Sequence, residues 1–190
     1  MIARCLQLFS IAFLACLVPR LQAEELKTGS THAFHFTDVD DNEIATDGGR
    51  VTIITVVTRS NEEKAHAVAD LVPDKYLGDP KFIYVTLVNF QGKLPGLVHA
   101  VTRGVIRGRL DAEAKELKPQ YAAKNLTRDP RQDVHVIADF DGAAVEELGL
   151  PVNSEEVAVF VFSGKGKLVQ RWNGVPPDDS LGKAIAQAAE

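Results

Sequence analysis

The residues whose types could do chemistry are concentrated in residues 51–64, VTIITVVTRSNEEK. A β-branched run there is followed by Arg59, Ser60 and Asn61, at the predicted start of a helix. Free backbone N–H groups at a helix start attract anions, so Arg59 beside them could bind a carboxylate or a phosphate. The simpler alternative is that Ser60 caps the helix together with Glu63, in an S-x-x-E capping box, and that Arg59 is solvated.

A second candidate binding site consists of basic residues. Arg103, Arg107 and Arg109 cluster on and just beyond one predicted helix, with Arg103 and Arg107 one turn apart. Such a cluster could form an anion patch or a patch for a partner protein. The alternative is ordinary solvated charge, with the arginines paired to Glu113 or Asp111.

An acidic motif, Asp38-x-Asp40-x-Asn42, opens like a calcium-binding loop. A calcium loop of this kind needs glycine at its sixth position and a bidentate glutamate at its twelfth. These positions hold Glu43 and Gly49. A polar hairpin turn therefore accounts for the motif.

Asp139 and Asp141 flank a predicted strand end, where α/β folds often carry function, although Asp-x-Asp-Gly is also common in turns. His32 and His35 are the closest histidine pair, but three residues apart in an extended segment they point to different sides. We therefore expect no metal site and no cofactor.

The two cysteines, Cys5 and Cys16, both lie in residues 1–23. A short basic start, an apolar segment over residues 5–18 and a small residue at Ala23 form the pattern of a secretory signal peptide. The protein is thus predicted to be periplasmic or secreted. Cleavage at Cys16 as a lipoprotein and a retained membrane anchor are the alternatives.

Removal of this leader changes both the redox chemistry and the charge. Cleavage between Cys16 and Glu24 leaves no thiol, which excludes disulfides, thiolate metal sites and cysteine nucleophiles. Without Arg4 and Arg20 the chain has 19 basic and 26 acidic residues, a net charge of about −7 compared with −5 for the whole chain. This charge gives no support for nucleic-acid binding, and no stable membrane insertion is expected after cleavage.

Residues 24–190 are predicted to form a single domain of alternating strands and helices. The predicted strands cover residues 33–36, 43–46, 51–57, 82–90, 134–138, 158–162 and 168–172. The two long apolar runs among them favour strands that are covered on both faces. The predicted helices begin near residue 60, cover an insertion at about 95–125 and a short segment at 143–148, and end the chain from about 179.

Two of these helices carry apolar stripes that should be buried. In the insertion the first stripe has Gly108 as a candidate stop, and it comprises Leu94, Leu97, Val98, Val101 and Val105. Leu110, Ala114 and Leu117 continue the helical period until Pro119. In the last helix it comprises Leu181, Ala184, Ile185 and Ala188.

This order of elements, with the closing stretch ADFDGAAVEELGL…AVFVFSGKGKLVQRWNG, resembles the thioredoxin-like superfamily. It is most similar to the secreted redoxin and peroxiredoxin-like members, and Arg59-Ser60 with Glu63-Lys64 gives a weaker likeness to the periplasmic YtfJ family. The resemblance implies an α/β fold with a mixed sheet: a parallel β-α-β half, an antiparallel C-terminal hairpin and flanking helices. An N-terminal hairpin and the helical insertion would be additions.

The resemblance also implies where a redox site would lie. Redox-active members carry cysteines at the start of the first long helix, and the corresponding positions here are Asn61 and Lys64. Such members also place a cis-proline before the strand equivalent to residues 158–162, where this chain has Val157. Both halves of the redox site are therefore predicted to be absent.

We expect a non-catalytic role, in which a partner protein or peptide binds where the redox site would be. The predicted binding groove comprises Thr58, Arg59, Ser60, Asn61, Glu156 and Val157. The alternative is an enzyme with metal- or anion-dependent chemistry that uses the aspartate, histidine and arginine residues named above.

Overall fold

A computed structural model describes residues 25–190. The predicted leader, its cleavage point and the lipoprotein alternative at Cys16 lie outside the described residues. The strands are β1 (His35–Thr37), β2 (Glu43–Ala45), β3 (Val51–Thr58), β4 (Phe82–Asn89), β5 (Val134–Asp139), β6 (Ala158–Phe162) and β7 (Leu168–Asn173). The α-helices are α1 (Glu63–Ala69), α2 (His99–Ala123), α3 (Ala143–Glu147) and α4 (Ser180–Ala188).

The main sheet has five strands in the order β5-β4-β3-β6-β7. β3, β4 and β5 are mutually parallel, whereas β6 pairs antiparallel with β3 and with β7. β1 and β2 form a separate antiparallel hairpin. The predicted mixed sheet, with a parallel half, an antiparallel C-terminal hairpin and an N-terminal hairpin, is confirmed.

The core lies on both faces of this sheet, because its central strands are strongly apolar. Every residue of β3 is buried, as its unbroken β-branched sequence predicted. The N-terminal hairpin and α3 cover one face, and α1 and α4 cover the other. The predicted stripe of α4 is confirmed, since all four of its residues are buried.

The extent predicted for the helical insertion is confirmed, but its predicted N-terminal stripe was wrong. The helix continues past Gly108 and through Pro119 to Ala123, with Leu110, Ala114 and Tyr121 buried. The N-terminal stripe points to solvent, with Leu97 95% and Val101 67% exposed. A helical period of apolar residues locates a face but does not provide a neighbour to cover it.

β4 was also predicted to be covered on both faces, and one of its faces is only partly covered. Tyr84, Thr86 and Val88 are half-buried, although the strand has a neighbour on each side. α1 is only seven residues long, and α2 packs mainly beyond β4, with Leu110 against Val136 of β5. The two helices therefore leave a gap over the middle of β4.

The acidic motif forms the predicted hairpin turn, organised by the buried carboxylate of Asp38. Its Oδ1 accepts the backbone N–H groups of Asp40 and Asn42 at 2.9 and 2.8 Å. Its Oδ2 accepts from Asn42 Nδ2 at 3.0 Å and is 2.9 Å from His135 Nδ1 of β5. One side chain thus fixes the turn and ties the hairpin to the edge of the main sheet.

Among residues 25–190, no helix has both the length and the apolarity needed to cross a membrane.

Replacing Gly166 by alanine should destabilise the fold by about 3 kcal/mol. Gly166 has φ +74°, and an added Cβ would lie 2.4 Å from the carbonyl oxygen of His32. That segment cannot simply move, because the N–H of His32 donates to the Gly166 carbonyl at 2.8 Å. The free energy of unfolding in urea would measure the loss.

Gly174→Ala is the matched control, because Gly174 has φ +99° and nothing within 4 Å of an added Cβ. It should cost only the strain of the left-handed conformation, about 1 kcal/mol. Equal losses in the two variants would contradict the role assigned to the contact with His32.

Candidate binding groove

The candidate groove lies at the carboxyl edge of the three parallel strands. The register of β3, β4 and β5 places Thr58, Asn89 and Asp139 side by side at this edge. All three are buried polar residues. Buried polar groups must find hydrogen-bond partners, and the partners of these residues define the surroundings of the groove.

Asn61 is the residue that joins the two sides of the groove. Its Oδ1 accepts the N–H of Thr58 at 2.7 Å, and its Nδ2 donates to the carbonyl of Glu155 at 2.6 Å. The side chain is only 6% exposed. The structure therefore brings Thr58 and Asn61 next to the segment that contains Glu156 and Val157, as the predicted groove requires.

The other groove residues take different environments. Ser60 and Arg59 are exposed, and the Ser60 hydroxyl lies 2.8 Å from that of Thr58. The predicted capping box was wrong: α1 begins at Glu63, and no side chain caps it. The structure gives the Arg59 side chain no hydrogen bond or ion pair with any described residue.

Val157 lies on the other side of the predicted groove, and it lines a cleft that none of Thr58, Arg59, Ser60 and Asn61 lines. It is buried, and its carbonyl accepts the N–H of Gly174 at 2.5 Å. All described peptide bonds are trans, including the one that precedes Val157. The position that the resemblance assigns to a cis-proline is thus preceded by an ordinary trans peptide bond.

Asn89 is a second side-chain amide that bonds to the same segment as Asn61, and it was not predicted from the sequence. Its Nδ2 donates to the carbonyl of Val152 at 2.7 Å, and its Oδ1 accepts the N–H of Gln91 at 2.7 Å. The signal was an amide at the carboxyl end of the apolar run FIYVTLVN. Asn61 and Asn89 together hold the segment 152–155 against the ends of two parallel strands.

Asp139 acts as a structural acceptor for α3. Its carboxylate accepts the N–H groups of Gly142 and Val145, both at 2.9 Å. Burial raises the pKa of Asp139 despite these donors, and neighbouring Asp141 adds to the rise. The pKa of Asp141 is lowered, chiefly by the N–H of Ala143. Both carboxylates therefore serve the turn into α3.

A cleft of about 920 Å³ adjoins the groove and shares Glu156 and Val157 with it. Arg171 lies along one side, with Nη1 2.9 Å from Glu25 Oε1 and Nη2 donating to Asn173 Oδ1 at 2.9 Å. The contact with Glu25 is an ion pair without hydrogen-bond geometry. The arginine of this cleft is therefore already partnered.

Two of the three arginines of the predicted anion patch face the N-terminal hairpin. Arg103 Nη1 lies 3.7 Å from the Asp41 carboxylate. Arg107 lies 3.3 Å from each of Asp40 and Asp41, and its Nε donates to the Val39 carbonyl at 2.6 Å. An external anion at these arginines would compete with two carboxylates of the same chain.

Arg109 lies apart from them and pairs with Glu62 at 3.1 Å. The predicted partners Glu113 and Asp111 were wrong, because Asp111 pairs instead with Arg131 at 2.9 Å. The three arginines thus belong to two separate contacts of α2, and an anion patch formed by them stays a prediction.

The enzymatic alternative includes metal-dependent chemistry, for which thiols and clusters of metal-ligating side chains are the relevant groups. Residues 25–190 contain no cysteine, and no group of three or more histidine, cysteine, aspartate or glutamate residues among them could hold a metal ion. At the carboxyl edge, the side chains of Asn89 and Asp139 bond to backbone groups, and the hydroxyl of Thr58 lies 2.8 Å from that of Ser60. The amides of Asn61 and Asn89 both bond to the loop at residues 152–155.

No protein-family model matches the chain, and no curated protein matches its sequence. A putative thiol:disulfide interchange protein DsbE from Chlorobium tepidum is similar in structure, with a TM-score of 0.53 and 15% identity over 86% of this chain and 99% of that one. A thioredoxin family thiol:disulfide interchange protein from Chlorobium tepidum TLS gives 0.52 and 11% over 87% and 99%. A putative thioredoxin from Neisseria meningitidis gives 0.50 and 17% over 85% and 91%. The chain has a thioredoxin-like fold.

Proposed function

We propose that this chain is an exported, thioredoxin-like binding protein without thiol redox chemistry, and that it holds a partner protein or peptide at the predicted binding groove. The observation that carries the proposal is the environment of Asn61. Asn61 stands where the resemblance places a redox cysteine. The oxygen and the nitrogen of its side-chain amide each form a hydrogen bond with backbone, on opposite sides of the groove. Export rests on the predicted leader.

The rigidity of the groove supports a binding role. Asn61 and Asn89 hold the segment 152–155 in place through hydrogen bonds within the chain. A preformed surface loses little conformational entropy when a partner binds, which favours affinity. A reactive site would instead need polar groups that are free to engage a substrate.

The charges near the groove define which partner segments would fit. Arg59 is exposed on one side, and the structure gives its side chain no partner among the described residues. Glu156 and Glu146 line the adjoining cleft, and no ion pair within the described chain involves either of them. An extended segment with an acidic residue near Arg59 and a basic residue near Glu156 would complement this surface.

Selection of a phage-displayed library of linear peptides against residues 24–190 would test the proposal. We expect enriched peptides to carry both charge types, and the isolated peptides to bind at least tenfold more weakly to Arg59→Glu and to Glu156→Lys, since each variant reverses one complementary charge. Fluorescence polarisation would measure these affinities.

Lys115→Glu is the matched control, because Lys115 is an exposed residue of α2 outside the groove, and it should leave the affinities unchanged. The same preparations should not reduce insulin disulfides. Peptides that bind equally well to all three variants would contradict a role for the groove, and insulin reduction above background would contradict the redox-inactive assignment.

A further inference from the structure

A second cavity, of about 390 Å³, lies over β4 between α1 and α2. We call it the β4 cavity. None of the six groove residues lines it. Its lining includes Thr55, Tyr84 and Thr86 from the sheet, Val68 from α1, and Leu117 and Tyr121 from α2. Its size falls at the lower end of the range for small-molecule sites.

The cavity arises because two helices together fail to cover one central strand. α1 is short and presents the small side chains of Ala65 and Ala69 to the cavity. α2 packs further out, on β5. A strand within a largely parallel sheet is normally covered on both faces, so the open face of β4 is an exception that calls for an explanation.

The sheet side of the cavity contains an unused polar group. The hydroxyl of Tyr84 is buried and has no hydrogen-bond partner in the described part of the chain. Burial raises the pKa of Tyr84, so the hydroxyl stays a neutral phenol. An unpaired buried hydroxyl carries a desolvation cost that a bound polar group would remove.

The electrostatics of the cavity specify the charge of a ligand. The lining contains no lysine or arginine, and its one basic side chain of another kind, His135, is engaged with Asp38 at 2.9 Å. It contains five carboxylate residues: Asp70, Asp74, Asp79, Glu113 and Asp133. Asp133 is neutralised by Arg128 at 2.6 Å, and Lys124, which does not line the cavity, donates to the backbone carbonyl of Asp74. Glu113 is half-buried, and the structure gives it no ion pair with a described residue. A cation is therefore the complementary ligand.

We propose that the β4 cavity binds a small amphipathic cation, with its apolar body against Val68 and Leu117 and its protonated amine towards Glu113. The apolar residues supply affinity through burial, and the carboxylates select the charge. This site is separate from the groove and does not depend on the function proposed there.

Three ligands that share one apolar body would test the proposal: 4-phenylbutylamine, 4-phenylbutanol and 4-phenylbutyrate. In titrations followed by ¹H–¹⁵N NMR, we expect the amine to shift the amide signals around Val68, Tyr84 and Leu117. The alcohol should bind about tenfold more weakly, because it lacks the charge, and the carboxylate should not bind.

Substitutions separate charge recognition from simple cavity filling. Glu113→Gln should weaken binding of the amine about fivefold and leave binding of the alcohol unchanged. Glu116→Gln is the matched control, because Glu116 is an exposed residue of α2 that does not line the cavity. Ala65→Leu should fill the cavity and abolish binding of both ligands.

Tyr84→Phe provides a variant that keeps the shape of the cavity. It should fold, because it removes a hydroxyl without a partner. It should weaken the binding of the alcohol as well as that of the amine. The proposal is overturned if the three ligands bind equally, if the shifted signals lie outside the cavity, or if Glu113→Gln and Glu116→Gln behave alike.

Discussion

Replacement of Asn61 by alanine should lower the free energy of unfolding by about 3 kcal/mol. The variant would leave the N–H of Thr58 and the carbonyl of Glu155 without their partners at 2.7 and 2.6 Å. A buried polar group that loses its partner costs about 1–3 kcal/mol, and here two groups lose theirs. Urea denaturation followed by the fluorescence of Trp172, the single tryptophan of the chain, would measure the change.

Ser60→Ala is the matched control for this prediction. Ser60 is exposed, and its hydroxyl meets only that of Thr58, so its loss should cost no more than about 0.5 kcal/mol. If Asn61→Ala were as mild as Ser60→Ala, Asn61 would not be the residue that joins the two sides of the groove.

The joint role of the two amides can be tested in a double-mutant cycle. Asn89→Ala should also destabilise the fold, because Asn89 holds the carbonyl of Val152 in the same segment. Once that segment is released at one point, the second hydrogen bond contributes less to stability. The losses in free energy of unfolding of the two single variants should therefore sum to more than the loss in the double variant. A coupling of about 1 kcal/mol is expected; strict additivity would contradict a shared anchoring role.

The strands were predictable because runs of apolar residues that are adjacent in the chain indicate which segments are buried. The β-branched run of β3 and the stripe of α4 each specify an element from residues that are adjacent in the chain. The predicted position of the groove followed from the same pattern, since the groove was placed where β3 ends. The structure places Arg59 and Asn61 directly after that strand.

The contacts of these residues could not be predicted, because they join distant parts of the chain. Asn61 bonds to a carbonyl 94 residues away, and Arg107 to one 68 residues away. The capping box failed for a related reason: Asn61 fixes the turn after β3 through Thr58, and α1 starts only afterwards, at Glu63. Local propensity is a weak guide where tertiary contacts compete with it.

Asp38→Asn should change how the free energy of unfolding depends on pH in the acid range. Burial opposes ionisation of Asp38, yet hydrogen bonds from His135, from the Asn42 side chain and from the N–H groups of Asn42 and Asp40 lower its pKa. Its pKa is thus lower in the folded than in the unfolded chain, where it is about 3.9. The stabilisation it provides is present above that value and is lost as the pH falls through the folded pKa.

Both carboxylate oxygens of Asp38 accept hydrogen bonds. An asparagine side chain has only one acceptor oxygen, and its N–H₂ group would face one of the present donors. We expect Asp38→Asn to lose about 3 kcal/mol near pH 7. The difference from the original protein should shrink as the pH falls below about 4, because protonation then removes the same charge. Urea denaturation at a series of pH values between about 7 and about 2.5 would follow it.

Asp139 supplies an internal control with the opposite sign. Burial raises its folded-state pKa, so the stability it contributes is present below the unfolded pKa and is lost as the pH rises through the folded pKa. Asp139→Asn is compared in the original protein, because Asp141 contributes to the raised pKa of Asp139. The effect of Asp139→Asn should grow on acidification, while the effect of Asp38→Asn shrinks. Slopes of the same sign would mean that the hydrogen bonds to Asp38 do not outweigh its burial.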